Sequence, residues 1–151
     1  MAGRHPSYFL VAGVELRREM QRLRALSVFA GGPVAARAPE LKVRRASRRP
    51  NRLGFAVPGE WRLSVTDYPG IRPGDVLETL LHELVHLHVG RRRGAHAWHG
   101  PMFKRTLARA MAEAYGIVDV RPRNVLHGTY AEAIENRRRL AGDQLELPVA
   151  G

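Results

Sequence analysis

The chain has 151 residues, is 44% hydrophobic, carries a formal net charge of +11 and contains no cysteine. That length and apolar share suit one domain with a real core, and the missing cysteine excludes disulfides, thiol nucleophiles and cysteine-held zinc. No apolar run is long enough to span a membrane, and the opening MAGRHPSYFLVAGVELRREMQ lacks the h-region and cleavage pattern of a signal peptide, so an intracellular, cytoplasmic setting is expected.

In chain order, apolar residues at Leu16, Met20, Leu23 and Leu26 recur at three- and four-residue steps and predict an amphipathic helix over 14–29. AGGPVAARAP breaks that pattern as a loop. Leu41 and Val43 then alternate with charged residues, Leu53, Phe55 and Val57 share one parity, and Trp61, Leu63 and Val65 share another. Period two, with PGE between the last two segments, predicts a three-stranded antiparallel meander. After the loop TDYPGIRPG, a helix is expected over 75–89, with Asp75 as N-cap, Glu78 at the capping-box position and Gly90 as its stop. Pro101 opens a further helix running to about Tyr115 and ended by Gly116. Beyond it are expected a short strand at 117–120, a loop containing His127, a helix at 129–140 and a frayed end. The whole reads as an α+β fold: residues 1–116 form the main domain and 117–151 a helical extension packed on it.

Residues 82–86 read HELVH. On a helix, residues four apart differ by about 40°, so His82 and His86 project side by side. With His82 at zero, Asp75, Thr79, Glu83 and His86 fall between about 20° and 100°, whereas Val76, Leu77, Leu80, Leu84 and Leu87 fall between about 120° and 220°. One face therefore docks into the core and the other is expected to open to a cleft. Two neutral imidazoles at this spacing suit one Zn²⁺, and the glutamate beside them suits a general base for an attacking water. For a third ligand, His99 in WHGPMF is favoured. Gly100 and Pro101 turn the chain there, and twelve residues separate it from His86, enough to double back. His96 and Glu113 are the alternatives. His88, near 240°, lies behind the site by the same helical count of about 100° per residue. Tyr68, His96, Tyr115 and Tyr130 are conceivable transition-state donors.

HELVH followed by HGPMFK resembles the SprT-like zinc metalloprotease family, whose members share HExxH and a histidine in an HGxxF-type segment. The segments RLGFAV and WRLSVT loosely resemble the family's sheet, and the likeness covers roughly residues 10–116. The resemblance implies a minimal zincin-like protease domain. It implies His82, His86 and His99 as zinc ligands and Glu83 as the catalytic acid/base. It also implies substrates bound or crosslinked to DNA, hence a place in DNA–protein crosslink repair. The cysteine-rich zinc ribbon that helps many relatives bind DNA has no counterpart in a chain without cysteine.

Charge supplies an independent reason to expect a polyanion. Between Arg37 and Arg52 lie seven basic side chains and one acid, Glu40. Arg44, Arg45, Arg48, Arg49 and Arg52, with Arg91, Arg92 and Arg93, are the expected DNA contacts, largely independent of base sequence and with little base stacking. Of the 25 basic residues 23 are Arg, which equally fits a coding bias. Two other functions compete with a zinc endopeptidase. A three-histidine ribonuclease would need histidine at 92, where Arg92 stands. A nucleic-acid-binding module with a structural metal would gain nothing from Glu83.

Overall fold

The computed structural model describes residues 5–90, 99–118 and 130–145. It begins with a 3-10 turn at Pro6–Phe9 and a small hairpin, β1 (Leu10–Val11) and β2 (Val14–Glu15). Ala12 and Gly13 both adopt positive φ, 50° and 81°, as a two-residue hairpin turn requires. This hairpin takes Val14 and Glu15 out of the helix expected from residue 14. Helix α1 covers Leu16–Arg24 and buries Leu16, Met20 and Leu23. It stops short of residue 29 because Glu113 reaches across to the next turn, the 3-10 segment Ser27–Phe29. The Glu113 carboxylate accepts from the Ser27 hydroxyl at 2.9 Å and from the Val28 N–H at 3.0 Å, and also from the Ser27 N–H. These N–H groups thus find a partner outside the helix. The expected loop at 30–39 also contains a short helix, α2 (Pro33–Ala36).

Those same hydrogen bonds, the Ser27 N–H first, hold the Glu113 carboxyl below its ordinary pKa. A depressed folded-state pKa stabilises fully above the unfolded value of about 4.3 and loses that contribution as pH falls through the folded value. Wild type should therefore exceed Glu113→Gln in urea midpoint at about pH 6, with the gap narrowing toward about pH 3. A gap that is constant with pH would show that the charge of Glu113 contributes nothing.

Strands β3 (Glu40–Arg45), β4 (Gly54–Val57) and β5 (Arg62–Asp67) form a sheet in the order β3-β5-β4. The β4–β5 pair is the expected antiparallel hairpin, but β3 runs parallel to β5, so the three-stranded antiparallel meander is corrected to a mixed sheet. The reason lies in β5. Leu63, Ser64, Val65 and Thr66 are all buried, and none is charged, so this strand tolerates cover on both faces. The eight residues 46–53 carry the chain past the β5 position, a gap of about 10 Å at ordinary strand spacing. Leu41, Val43, Leu63 and Val65 turn inward together. Gly54 pairs with Val65 and Phe55 with Ser64, which places Phe55 and Val57 on the outer face.

Helix α3 (Pro73–Val89) starts two residues earlier than expected. Pro73 takes the first helical position, and Asp75 lies in the first turn, where its carboxylate accepts the Arg72 N–H at 3.2 Å. Asp75 is thus not the N-cap. Glu78 is not a capping residue either: it is 1% exposed and accepts the Tyr130 N–H at 3.1 Å. Residues 74–87 are all buried, so the expected open face of α3 is covered as well. Around it lie α1, α2, β4, β5, α4 (Pro101–Tyr115) and α5 (Ala131–Leu145). Helix α4 buries Phe103, Leu107, Ala110 and Met111 and ends at Gly116, with φ of 71°. Residues 117 and 118 form no strand, and the rest of the expected strand at 117–120, with the loop of His127, lies outside the described residues. Helix α5 is fastened to the start of α3 by Gly74 N–H donating to Glu135 at 2.8 Å and by buried Ile134. Its close approach is possible because Gly74 has no side chain to meet the Ala131 carbonyl. No described helix is long and apolar enough to cross a membrane.

Candidate metal centre

The site is built on α3. Its 3.6-residue period aligns His82 and His86 one turn apart, and the surrounding core fixes them at 2% and 8% exposure. Their ring centroids are 4.9 Å apart. The third member comes from another element. His99 precedes the Gly100–Pro101 start of α4, and that turn brings its ring to 4.9 Å from His86 and 5.3 Å from His82. Nε2 of His86 lies 3.1 Å from Nε2 of His99. One nitrogen from each of the three rings lies within 4.8 Å of the others, close enough to share a metal ion. His82 and His86 are buried and His99 is exposed, so the group faces solvent on one side.

Phe103 forms the wall behind the cluster. Fully buried, it stacks on His86 with centroids 4.3 Å apart and planes 28° from parallel, and it sits 5.0 Å from His82 and 4.9 Å from His99. In the sequence it reads as one more member of the α4 apolar stripe. Its place one turn into α4, just after His99, brings it against all three histidines.

Glu83 is 3% exposed and lies beneath β4. Gly54 makes that approach possible. A side-chain carbon at this position would stand 2.6 Å from the Ser64 carbonyl oxygen, 2.6 Å from Cγ2 of Thr79 and 3.4 Å from Cγ of Glu83. The first of these is backbone and cannot swing away. Gly54→Ala should therefore cost about 1–3 kcal/mol, the range of an overpacked core. It should also shift β4 against Glu83. Thermal melting checks this, and a variant with the wild-type melting temperature would show that the strand has slack.

Other expected participants lie elsewhere. Glu113 caps the 27–29 turn and is no ligand. His88 packs its ring 5.1 Å from Phe29, behind the site as expected, and burial pushes its pKa down. His96 lies outside the described residues. Among the conceivable donors, Tyr68 accepts a hydrogen bond from Arg49 at 2.7 Å, and Tyr115 donates to Glu19 at 2.7 Å. Tyr130 is buried beside Glu78 at the start of α5, and burial, then the Glu78 charge, raise its pKa.

The basic residues divide. Arg45 is ion-paired with Asp67 and donates to the Tyr8 carbonyl at 2.9 Å, and Arg49 is held by Tyr68. Arg44 and Arg52 lie over the Phe55 ring, 5.4 and 5.9 Å from its centroid. Phe55 stands three residues from Arg52 in sequence, whereas it meets Arg44 only across the sheet. Arg48 is exposed, and Arg91, Arg92 and Arg93 lie outside the described residues. The chain matches no protein-family model, no curated protein and no solved structure, so the assignment of function falls to the site itself.

Proposed function

We propose that the chain is a zinc-dependent endopeptidase of SprT-like type that acts on proteins held on DNA. The observation that carries this is the convergence of His99, from the start of α4, on the two helical histidines that flank Glu83 in sequence. The donor set fits zinc. Two nitrogens bound tetrahedrally at 2.0–2.1 Å stand about 3.3 Å apart, against 3.1 Å between His86 and His99. A structural zinc site is closed by four protein ligands, whereas a catalytic one keeps a position open. The cluster has three among the described residues.

Bound zinc would supply Lewis acidity to a peptide carbonyl and make water nucleophilic near neutral pH. The protein's own residues do the rest. His82, His86 and His99 orient the site. Glu83, held against β4, accepts the proton of the attacking water and delivers it to the departing amide nitrogen. Phe103 keeps the ligand rings in place and excludes water from their inner side. The order β3-β5-β4 leaves β4 at the edge, over Glu83. An extended peptide can add to such an edge through main-chain hydrogen bonds, which favours cleavage within a chain over trimming of its end. The positive charge near this strand supports substrates carried on DNA.

The test is metal content together with hydrolysis of an unfolded protein, with and without DNA. Activity should vanish with a chelator and return with zinc. A chain that binds zinc but cleaves no peptide bond under any of these conditions would sink the proposal and favour a structural metal.

A further inference from the structure

Strand β4 is the side of the sheet at which an extended substrate would add, and its register fixes what such a substrate meets. In an antiparallel pair, residues that exchange both backbone hydrogen bonds alternate with residues that exchange none. The Thr66 N–H donates to the Leu53 carbonyl at 2.8 Å, so Leu53 is of the first kind, and Phe55 and Val57, opposite Ser64 and Arg62, follow it at two-residue steps. Gly54 and Ala56, opposite Val65 and Leu63, are of the second kind. Their N–H and C=O groups therefore point away from β5, toward the side on which the described sheet ends. The side chains alternate as well. Gly54 lies against Glu83 and Ala56 packs on the core, whereas Phe55 and Val57 lie outside that core, half-buried on the opposite face.

We infer that Phe55 is a specificity-determining residue: it selects an aromatic or large aliphatic side chain in the substrate, next to the residue that lies over Glu83. A strand added to β4 exchanges hydrogen bonds with Gly54 and Ala56, and residues opposite one another share a face. The substrate residue opposite Gly54 then points inward, toward Glu83. Its neighbour, opposite Phe55, points outward and lies beside the ring. An apolar side chain there covers what is left exposed of Phe55, and an aromatic one adds an edge-to-face contact. The guanidinium groups of Arg44 and Arg52, 5.4 and 5.9 Å from the ring centroid, attract a second aromatic ring and repel Lys or Arg. Two residues farther along, Val57 offers another apolar neighbour. The sequence selected is thus apolar at alternate positions, the pattern of a strand that is half-buried in its native fold. The preferred substrate is an unfolded protein, in which such segments are exposed, rather than a polar surface loop. The choice of cleavage site rests on the peptidase reading; the binding of the strand rests on β4 alone.

Binding would be read by fluorescence anisotropy on the zinc-loaded Glu83→Gln chain, and hydrolysis as kcat/KM on the zinc-loaded wild type. The probes are labelled peptides of about eight residues, enough to pair along an ordinary strand, that alternate Thr and Ser around one central position occupied by Phe, Leu, Ala or Lys. Both readouts should fall in that order. Phe55→Ala should reduce the ratio of the Phe to the Ala peptide by about 2- to 10-fold, the span of an aromatic cross-strand pair. Phe55→Glu should place Lys ahead of Phe. Arg17→Ser, on α1, should leave the order as it is. Methylation of successive peptide nitrogens should weaken binding at every second residue only, by about 2- to 10-fold, the net worth of one hydrogen bond. Zinc content and melting temperature report that each variant is folded, and the alanine variant serves if the glutamate one is not. Wild-type ratios in the folded Phe55 variants would overturn the inference, as would equal loss from methylation at every residue. Phe55-dependent binding with no hydrolysis by wild type would overturn the peptidase and leave this edge standing. Hydrolysis of all four peptides alike would do the reverse, and neither binding nor hydrolysis would overturn both.

Discussion

Glu83→Gln should keep its metal and lose most of its hydrolytic activity, by about 10²–10⁴-fold, the usual contribution of a positioned general base. The substitution changes one oxygen to nitrogen and leaves the side-chain volume nearly unchanged. That matters because Glu83 is 3% exposed and is held against β4, where a smaller residue would leave a void. An amide at this position cannot accept the proton of water. Zinc content by atomic absorption and single-turnover hydrolysis, measured on the same preparation, give both halves of the result. A fall in zinc alongside activity would make Glu83 a support of the metal rather than a base, and unchanged activity would remove it from the mechanism.

Loss of the metal should be felt as a loss of fold stability. A ligand present at a thousandfold over its Kd stabilises the folded state by about 4 kcal/mol, equivalent to roughly 8–16 °C in melting temperature for a chain of this size. Chelation of wild type should produce that fall. His99→Ala should reproduce the melting temperature of chelated wild type, and addition of a chelator should lower it no further, because the exposed His99 contributes little to the core itself. His82→Ala and His86→Ala should lie lower still, since they also remove buried rings packed on Phe103. His88→Ala should lose some stability through its contact with Phe29 but retain zinc. Full zinc retention in His99→Ala would break the ligand assignment.

The difference between what was legible in sequence and what was not follows from what each pattern measures. Helical period is a rotation about one axis, so it set His82 and His86 side by side, but it could not tell that neighbouring elements would cover their face as well. Gly100–Pro101 marked a chain reversal at the right distance for His99 to return. Strand parity is weaker, because it reports alternation but not neighbours. Leu41, Val43, Leu63 and Val65 did share a face, yet nothing in their alternation told that β5 would enter between β3 and β4. The same gap hid the meeting of Phe55 with Arg44, which exists only once β5 is placed. Asp75 was misread because Pro73, two residues before it, could open the helix first. The early end of α1 depends on Glu113, 86 residues after Ser27, and no local pattern carries such a partner.

For an ion held by the three histidines, their unequal depth would set the direction of traffic. His82 and His86 are closed in by Phe103 and by the neighbours of α3, whereas His99 meets solvent. Capture and release of an ion should then proceed by one doorway, with His99 the last ligand to engage and the first to let go. The rigid pair would govern which ions are accepted, through a bite that the core does not allow to widen. The outer histidine would govern how long an ion resides. Changes near the start of α4 should consequently alter exchange lifetimes more than metal preference.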